Sequence, residues 1–243
     1  MTAQDLVLDL YALQNPAQAA ILQRFFKTGP GQYGEGDLFL GIKVPETRKI
    51  IRKYRNLPLE EIKKLISSPY HEVRLASLLL LVDAFTRASK QKKSWDIPKE
   101  CSEITKFYLS NTKYINSRDL VDLTAPQIVG GYYADKDRSK LYQLATSSNL
   151  RERRIAIVST YHFIKKGEYA DTFALAELLM HDPHDLIHKA TGRMLREVHK
   201  RVAQQPVYEF LDQYAAQMPR TMLRYAIERF PEPIRKNYLL LKS

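Results

Sequence analysis

The sequence is short of cysteine, of acid and of long apolar runs, and each shortage removes a class of protein. One cysteine, Cys101, in 243 residues rules out an intramolecular disulfide framework and suits a reducing compartment, so a cytoplasmic location is the default expectation. The longest apolar run, LASLLLLV at 75–82, falls well short of the ~20 residues needed to span a bilayer and suits a buried helix. The first residues, MTAQDLVLDLYAL, are acidic and alternate polar with apolar, unlike a secretory leader. No P-loop, G-x-S-x-G or C-x-x-C pattern occurs, which leaves nucleophilic serine or cysteine chemistry without support. Acids are outnumbered: 27 Asp and Glu face 38 Lys and Arg, a formal charge of +11. That surplus points to a polyanionic partner, nucleic acid ahead of a membrane surface, with an unspecialised basic surface as the alternative.

What the sequence has in quantity is helix signal. PLEEIKKLISS (58–68) opens on proline, carries early acids and repeats apolar residues at helical spacing, and PEPIRKNYLLLKS closes the chain in the same style. Strand-like alternation with hairpin turns is absent, so the fold class is all-α. Four segments share a plan in which a basic residue stands two positions before an alanine: Arg74 and Ala76, Arg154 and Ala156, His188 and Ala190, Arg224 and Ala226. The last three alanines are 34 and 36 residues apart, and the gap from 76 to 156 has room for one further unit, with NSRDLVDLTAPQIVGGY in its middle. A period of about 35–45 residues built from helix pairs predicts an α-solenoid of HEAT-like helical repeats, here one domain over 1–243. Alanine permits close helix approach. A basic residue at one phase of each helix predicts a C-shaped stack with a basic concave face, unless each is merely solvated. The polar break RASKQKKSWDIPKE (87–100) reads as an inter-helix loop.

Three clusters invite chemical readings. TGPGQYGEGD (28–37) has G-x-G-x-x-G spacing at Gly29, Gly31 and Gly34, but AAILQRFFK before it reads as a helix where a dinucleotide site needs a strand, so a flexible connector is expected. HDPHDLIH gathers His181, His184 and His188 with Asp182 and Asp185; with no cysteine and no H-E-x-x-H pattern, helix capping explains it and no metal or other cofactor is expected. In TKYINSRDLVDLTAP (112–126), Asp119 and Asp122 are three apart and share a helix face. Asp119 suits a helix cap. Asp122, between apolar neighbours, serves either a structural ion pair or a site.

An ordered set of stretches carries a resemblance: FLGIKVPETRKI (39–50), DLVDLTAPQIVG (119–130), RRIAIVSTYHFIKKG (153–167), HDLIHKATGRMLREV (184–198) and MPRTMLRYAIERFP (218–231). Together they resemble the HEAT-like-repeat DNA alkylation repair family, the alkylpurine DNA glycosylases related to AlkC and AlkD, from about residue 20 to the end. The resemblance implies a solenoid that cradles duplex DNA and releases cationic N3- and N7-alkylpurines by hydrolysing the N-glycosidic bond, without flipping the lesion into a deep pocket. It implies a site of aspartate, arginine and tryptophans, in which the acid stabilises charge growing on the sugar and aromatic faces favour the cation. Carried over by motif, the aspartate is Asp122 and the arginine Arg154. Arg118, Asp119 and Arg193 line the site, and Arg153, Lys189, Arg196 and Arg224 are the expected DNA contacts.

Two departures weigh against excision. The family pattern NNWDLVD is NSRDLVD here, placing Arg118 for a tryptophan, and HKAVGWMLRE is HKATGRMLRE, placing Arg193 for another. Trp95, the one tryptophan, sits in the polar loop, away from either motif. In active relatives a short helix in the region of the glycine-rich loop lies against the minor groove; four glycines and a proline predict that GPGQYGEGD forms none. The sequence therefore predicts a monomeric duplex-DNA-binding paralogue with little or no excision. An active glycosylase using Asp122 and Arg154, or a helical scaffold for an acidic protein partner, are the alternatives.

Overall fold

Helix starts written into the sequence become helix starts in three dimensions. In the computed structural model, which describes residues 1–32, 34–91 and 98–241, the chain is all-α, consistent with an α-solenoid; among the described residues no strand forms, and one bridge pairs Leu38 with Tyr70. Trp95 lies outside the described residues. No described helix is long and apolar enough to cross a membrane.

The chain divides into two compact units, 1–128 and 129–243. The first holds α1 (Ala3–Tyr11), α2 (Pro16–Phe25), α3 (Val44–Lys53), α4 (Leu59–Lys64), α5 (His71–Lys90), α6 (Lys99–Ser110) and α7 (Arg118–Asp122). The second holds α8 (Ser139–Ala145), α9 (Leu150–Ser159), α10 (Tyr161–Ile164), α11 (Ala170–Leu178), α12 (Asp185–Arg201), α13 (Gln205–Tyr214), α14 (Arg220–Ala226) and α15 (Glu232–Leu240). A π-helical turn at Pro126–Gly130 follows α7.

Local chemistry explains the starts. Thr2 and Asp5 form a reciprocal capping box on α1, and Asn15 caps α2 ahead of Pro16. Each unit is organised on one central helix. In the first, α5 packs against α1, α3, α4, α6 and α7, so Leu75 and Leu78–Leu81 are all buried. In the second, α12 packs against α9, α10, α11, α13 and, most extensively, α14. Ala76, Ala156, Ala190 and Ala226 are each at most 1% exposed, as the repeat phase predicts. Gly192 sharpens the α12–α14 contact, because a Cβ there would lie 2.3 Å from the Met222 carbonyl oxygen.

Two of the recurrent basic residues, Arg74 and His188, and with them Arg153, bind the turns ahead of their helices. Arg74 donates to the carbonyls of Ser68 and Pro69 at 2.7 and 3.1 Å, Arg153 to Ser147 and Ser148 at 2.9 and 3.0 Å, and His188 Nε2 to Asp182 at 2.6 Å. In all three the clamp reaches back six residues, across the turn that starts the helix. The forked guanidinium supplies donors for carbonyls that a preceding helix end or turn leaves orphaned. Arg74 and Arg154 are buried, neither solvated nor turned outward; Arg224 alone of the four is exposed. In α9 the clamp is Arg153, one residue before the phase counted from the alanine.

The described residues of the glycine-rich stretch form turns rather than a helix, with Gly31 and Gly36 at positive φ. Its end is not a loose connector: Asp37 is 6% exposed and tied into the interior of the first unit.

Candidate functional site

The short helix α7 carries Arg118, Asp119 and Asp122, and buried Leu120 and Val121 seat it against the first unit's core. Asp119 turns inward. Its carboxylate accepts from Ser117 Oγ at 2.5 Å and pairs with Nε2 of His71 at 2.8 Å. His71, at the start of α5, places its other nitrogen 3.8 Å from Asp37. Asp37 in turn pairs with Arg74 at 2.9 Å and accepts from Asn116 Nδ2 at 2.6 Å. Arg74 closes the circuit on Asn116 Oδ1 at 3.1 Å. Two acids and two bases thus alternate in a region where His71, Arg74 and Asp37 are each at most 6% exposed. A buried charge is tolerable only when paired, and here each is.

The pairing sets the protonation states. Burial alone would push His71 down, but its hydrogen bond to Asp119 and the Asp37 carboxylate 3.8 Å away outweigh burial and Arg74, and its pKa is raised to about 9. Burial would raise Asp37 and Asp119, yet both are held below the usual carboxylate range, Asp119 chiefly by its hydrogen bond to His71, Asp37 by the nearby His71, by Arg74 and by the Asn116 amide. The imidazolium stacks on Phe39 (4.6 Å between centroids, 19°) and lies against Phe26 at 5.1 Å.

From Phe26 the aromatic layer runs to Phe25, at the end of α2, and there it meets α7 again. The Arg118 guanidinium lies 4.5 Å from the Phe25 ring centre and 5.9 Å from that of Phe26. Phe25 itself is 57% exposed, so this arginine–aromatic pair sits at the surface. Asp122, at the last position of α7, is half-buried. It is near enough to Tyr108 for its charge to act there: burial first, then the Asp122 carboxylate, push that phenol up, against the Thr124 hydroxyl bonded to it at 2.9 Å.

The remaining expected residues fall in the second unit. Arg154 on α9 is buried and donates to the Leu186 carbonyl at the start of α12, 2.6 Å away. Arg153 pairs with Asp182 at 2.6 Å, and Lys189 with Asp185 at 2.5 Å. Arg196 pairs with Glu228; burial, and then the nearby Arg193 and Arg229, pull its pKa down against Glu197. Arg193 is half-buried on the same helix, and Arg224 is exposed. His184 caps α12 by accepting from the Leu186 N–H at 3.2 Å, which accounts for the start of the histidine cluster as capping.

Sequence reasoning found α7 and missed what holds it. His71, Asp37, Asn116 and Arg74 lie far apart in the chain, and no spacing rule joins them. The one available signal was the charged HEVR start of a helix otherwise built of leucine. Phe25, next to the glycine-rich loop, gave none.

The comparisons with known proteins agree with this architecture. A family model described as DNA alkylation repair enzyme matches residues 6–230. A solved structure described as a predicted DNA alkylation repair enzyme from Enterococcus faecalis superposes with a TM-score of 0.67 at 17% identity, over 90% of this chain and 97% of that one, a likeness of fold. Among curated proteins no match is found. With the family match spanning nearly the whole length, the chain belongs to the DNA alkylation repair enzyme family.

Proposed function

We propose that the chain binds duplex DNA as one domain over 1–243, as a monomer needing no cofactor, and excises alkylated purines weakly or not at all. Its family is one of DNA repair, and its charge of +11 suits a polyanion. The curved basic cradle expected from the sequence belongs to this proposal, as does a cytoplasmic setting.

The observation that carries the weak-excision reading is Arg118. Its guanidinium lies on Phe25, on the same short helix as Asp122 and one turn away from it. The family pattern has tryptophan there, whose face favours a growing cation. A guanidinium does the reverse: like charges at 4 Å cost about 4 kcal/mol at an effective dielectric of 20, roughly a thousandfold in rate. Arg193 repeats the change in the second unit. Phosphate binding gains from added arginine where excision loses.

The test is release of 3- and 7-methylpurine from methylated duplex DNA. The wild type is expected to release none above the uncatalysed rate, and the double change Arg118→Trp, Arg193→Trp to release some. Brisk release by the wild type, abolished in Asp122→Asn, would overturn this and restore the active glycosylase using Asp122 and Arg154.

A further inference from the structure

The expected DNA contacts of the second unit are largely committed to acids: Arg153 to Asp182, Lys189 to Asp185, Arg196 to Glu228. The first unit holds cations that are not. On α3, the outward cations are paired, Lys49 with Glu46 and Lys53 with Asp9. Arg48 and Arg52 are exposed and have no acidic or hydrogen-bonding partner among the described residues. With Arg55 they stand at i, i+4 and i+7, on one face of the helix and its end.

That face borders a cleft of about 450 Å³ between α3 and α5. Its floor is apolar, from Ile51, Leu79 and Leu80, and its rim carries Arg48, Arg52 and Arg55. The one carboxylate on the rim among the described residues, Asp83, is shared between Arg55 at 3.2 Å and Arg87 at 3.1 Å. Four guanidiniums therefore gather around a single acid. Two of the four have no counter-charge, and their self-repulsion is relieved only by solvent or by an anionic ligand.

Resting on the DNA-binding reading above, we infer that this cleft takes the sugar–phosphate backbone of a DNA strand. Arg48 and Arg52 bind neighbouring phosphates, and the apolar floor takes the sugar between them. Side chains at i and i+4 on a helix are about 5–6 Å apart at Cβ, which guanidinium reach bridges to successive phosphates of one strand. Backbone contacts of this kind add affinity without sequence preference, and each adds to the salt dependence of binding.

The experiment is a salt titration of binding to a fluorescent duplex, with the full chain, the double variant Arg48→Ala/Arg52→Ala and the charge-preserving Arg48→Lys/Arg52→Lys. Both positions are exposed and unpaired, so unchanged thermal melting is expected of each variant. Loss of two phosphate contacts should lower the slope of log K against log salt by about 1.8 and weaken binding about thirtyfold at 0.15 M salt. The lysine variant should keep most of the slope. A wild type that binds with a steep slope, matched by an alanine variant with the same slope, would overturn the cleft and leave DNA binding standing. A wild-type slope near zero would overturn both and turn attention to an acidic protein partner.

Discussion

Replacing His71 by glutamine tests the buried circuit that holds α7. Glutamine can still donate to Asp119, so the change isolates the charge. In the native chain the imidazole's pKa is about 9, against about 6.5 when unfolded. The gap of roughly 2.5 units corresponds to about 3 kcal/mol of stabilisation from the protonated form. Because the folded value is the higher one, the contribution is complete below pH ~6.5 and is lost as pH rises through about 9. At the acid end the sign reverses for its partners. Asp37 and Asp119 have depressed values, so their contribution is present above the ordinary carboxylate range and fades as pH falls through their lowered pKa values. The circuit is therefore strongest between about pH 4.5 and 6.5.

The assay is urea unfolding of wild type and His71→Gln in parallel at pH 6.0, 7.5 and 9.5. Differences between the two proteins cancel the titration of everything else. The wild type should be the more stable at pH 6.0, and its advantage should shrink by about 3 kcal/mol by pH 9.5. An advantage that is the same at both ends would refute a protonated His71. So would an imidazole resonance of His71 titrating near 6.5 in the folded protein. A surface ion pair would give a change several times smaller and would respond to salt.

Two further changes probe the supports of each unit. Glu72, 1% exposed, accepts the N–H groups of Leu40, Gly41 and Ile42 at 2.9, 2.9 and 3.1 Å. Glu72→Gln removes the charge from these bonds and should cost about 2 kcal/mol or more, read as a lower urea midpoint; an unchanged midpoint would mean that water replaces the carboxylate without loss. Gly192→Ala would set a methyl 2.3 Å from the Met222 carbonyl oxygen and 2.7 Å from Tyr225 Cβ, so α12 and α14 must separate. A destabilisation of about 1–3 kcal/mol is expected, and a variant as stable as wild type would show that the two helices are free to shift.

How much of this was legible in the sequence follows from the range of the forces involved. Helix class and the repeat phase rest on local periodicity, and the four alanines are buried as that phase requires. The run LASLLLLV announced a buried helix, and α5 is the helix that the first unit packs around. Partnerships across the chain were not legible. Arg74 reads as a basic residue on an amphipathic helix, and only three dimensions bring Asp37 to it from the glycine-rich loop. Asp119 looked like a cap because acids at helix starts commonly are. Its carboxylate also reaches across the chain to His71, since a buried imidazolium needs a counter-charge, and that partner no cap rule foretells.

The same distinction bears on which cations meet DNA. A count of arginines treats them alike, but a guanidinium already bonded to carbonyls and an acid must give up those bonds before it can bind phosphate. Arg153 would forfeit Asp182 and two carbonyls, and Arg74 would have to leave the interior altogether. For exposed Arg48 and Arg52 a phosphate replaces water alone, and the released counterions favour the exchange. Two of the four basic residues that the sequence pattern marked, Arg74 and His188, thus serve as turn clamps. Of the cations left to a polyanion the pattern held Arg224 and passed over Arg48 and Arg52, because what frees a cation is the lack of a neighbour in space, which leaves no trace in spacing.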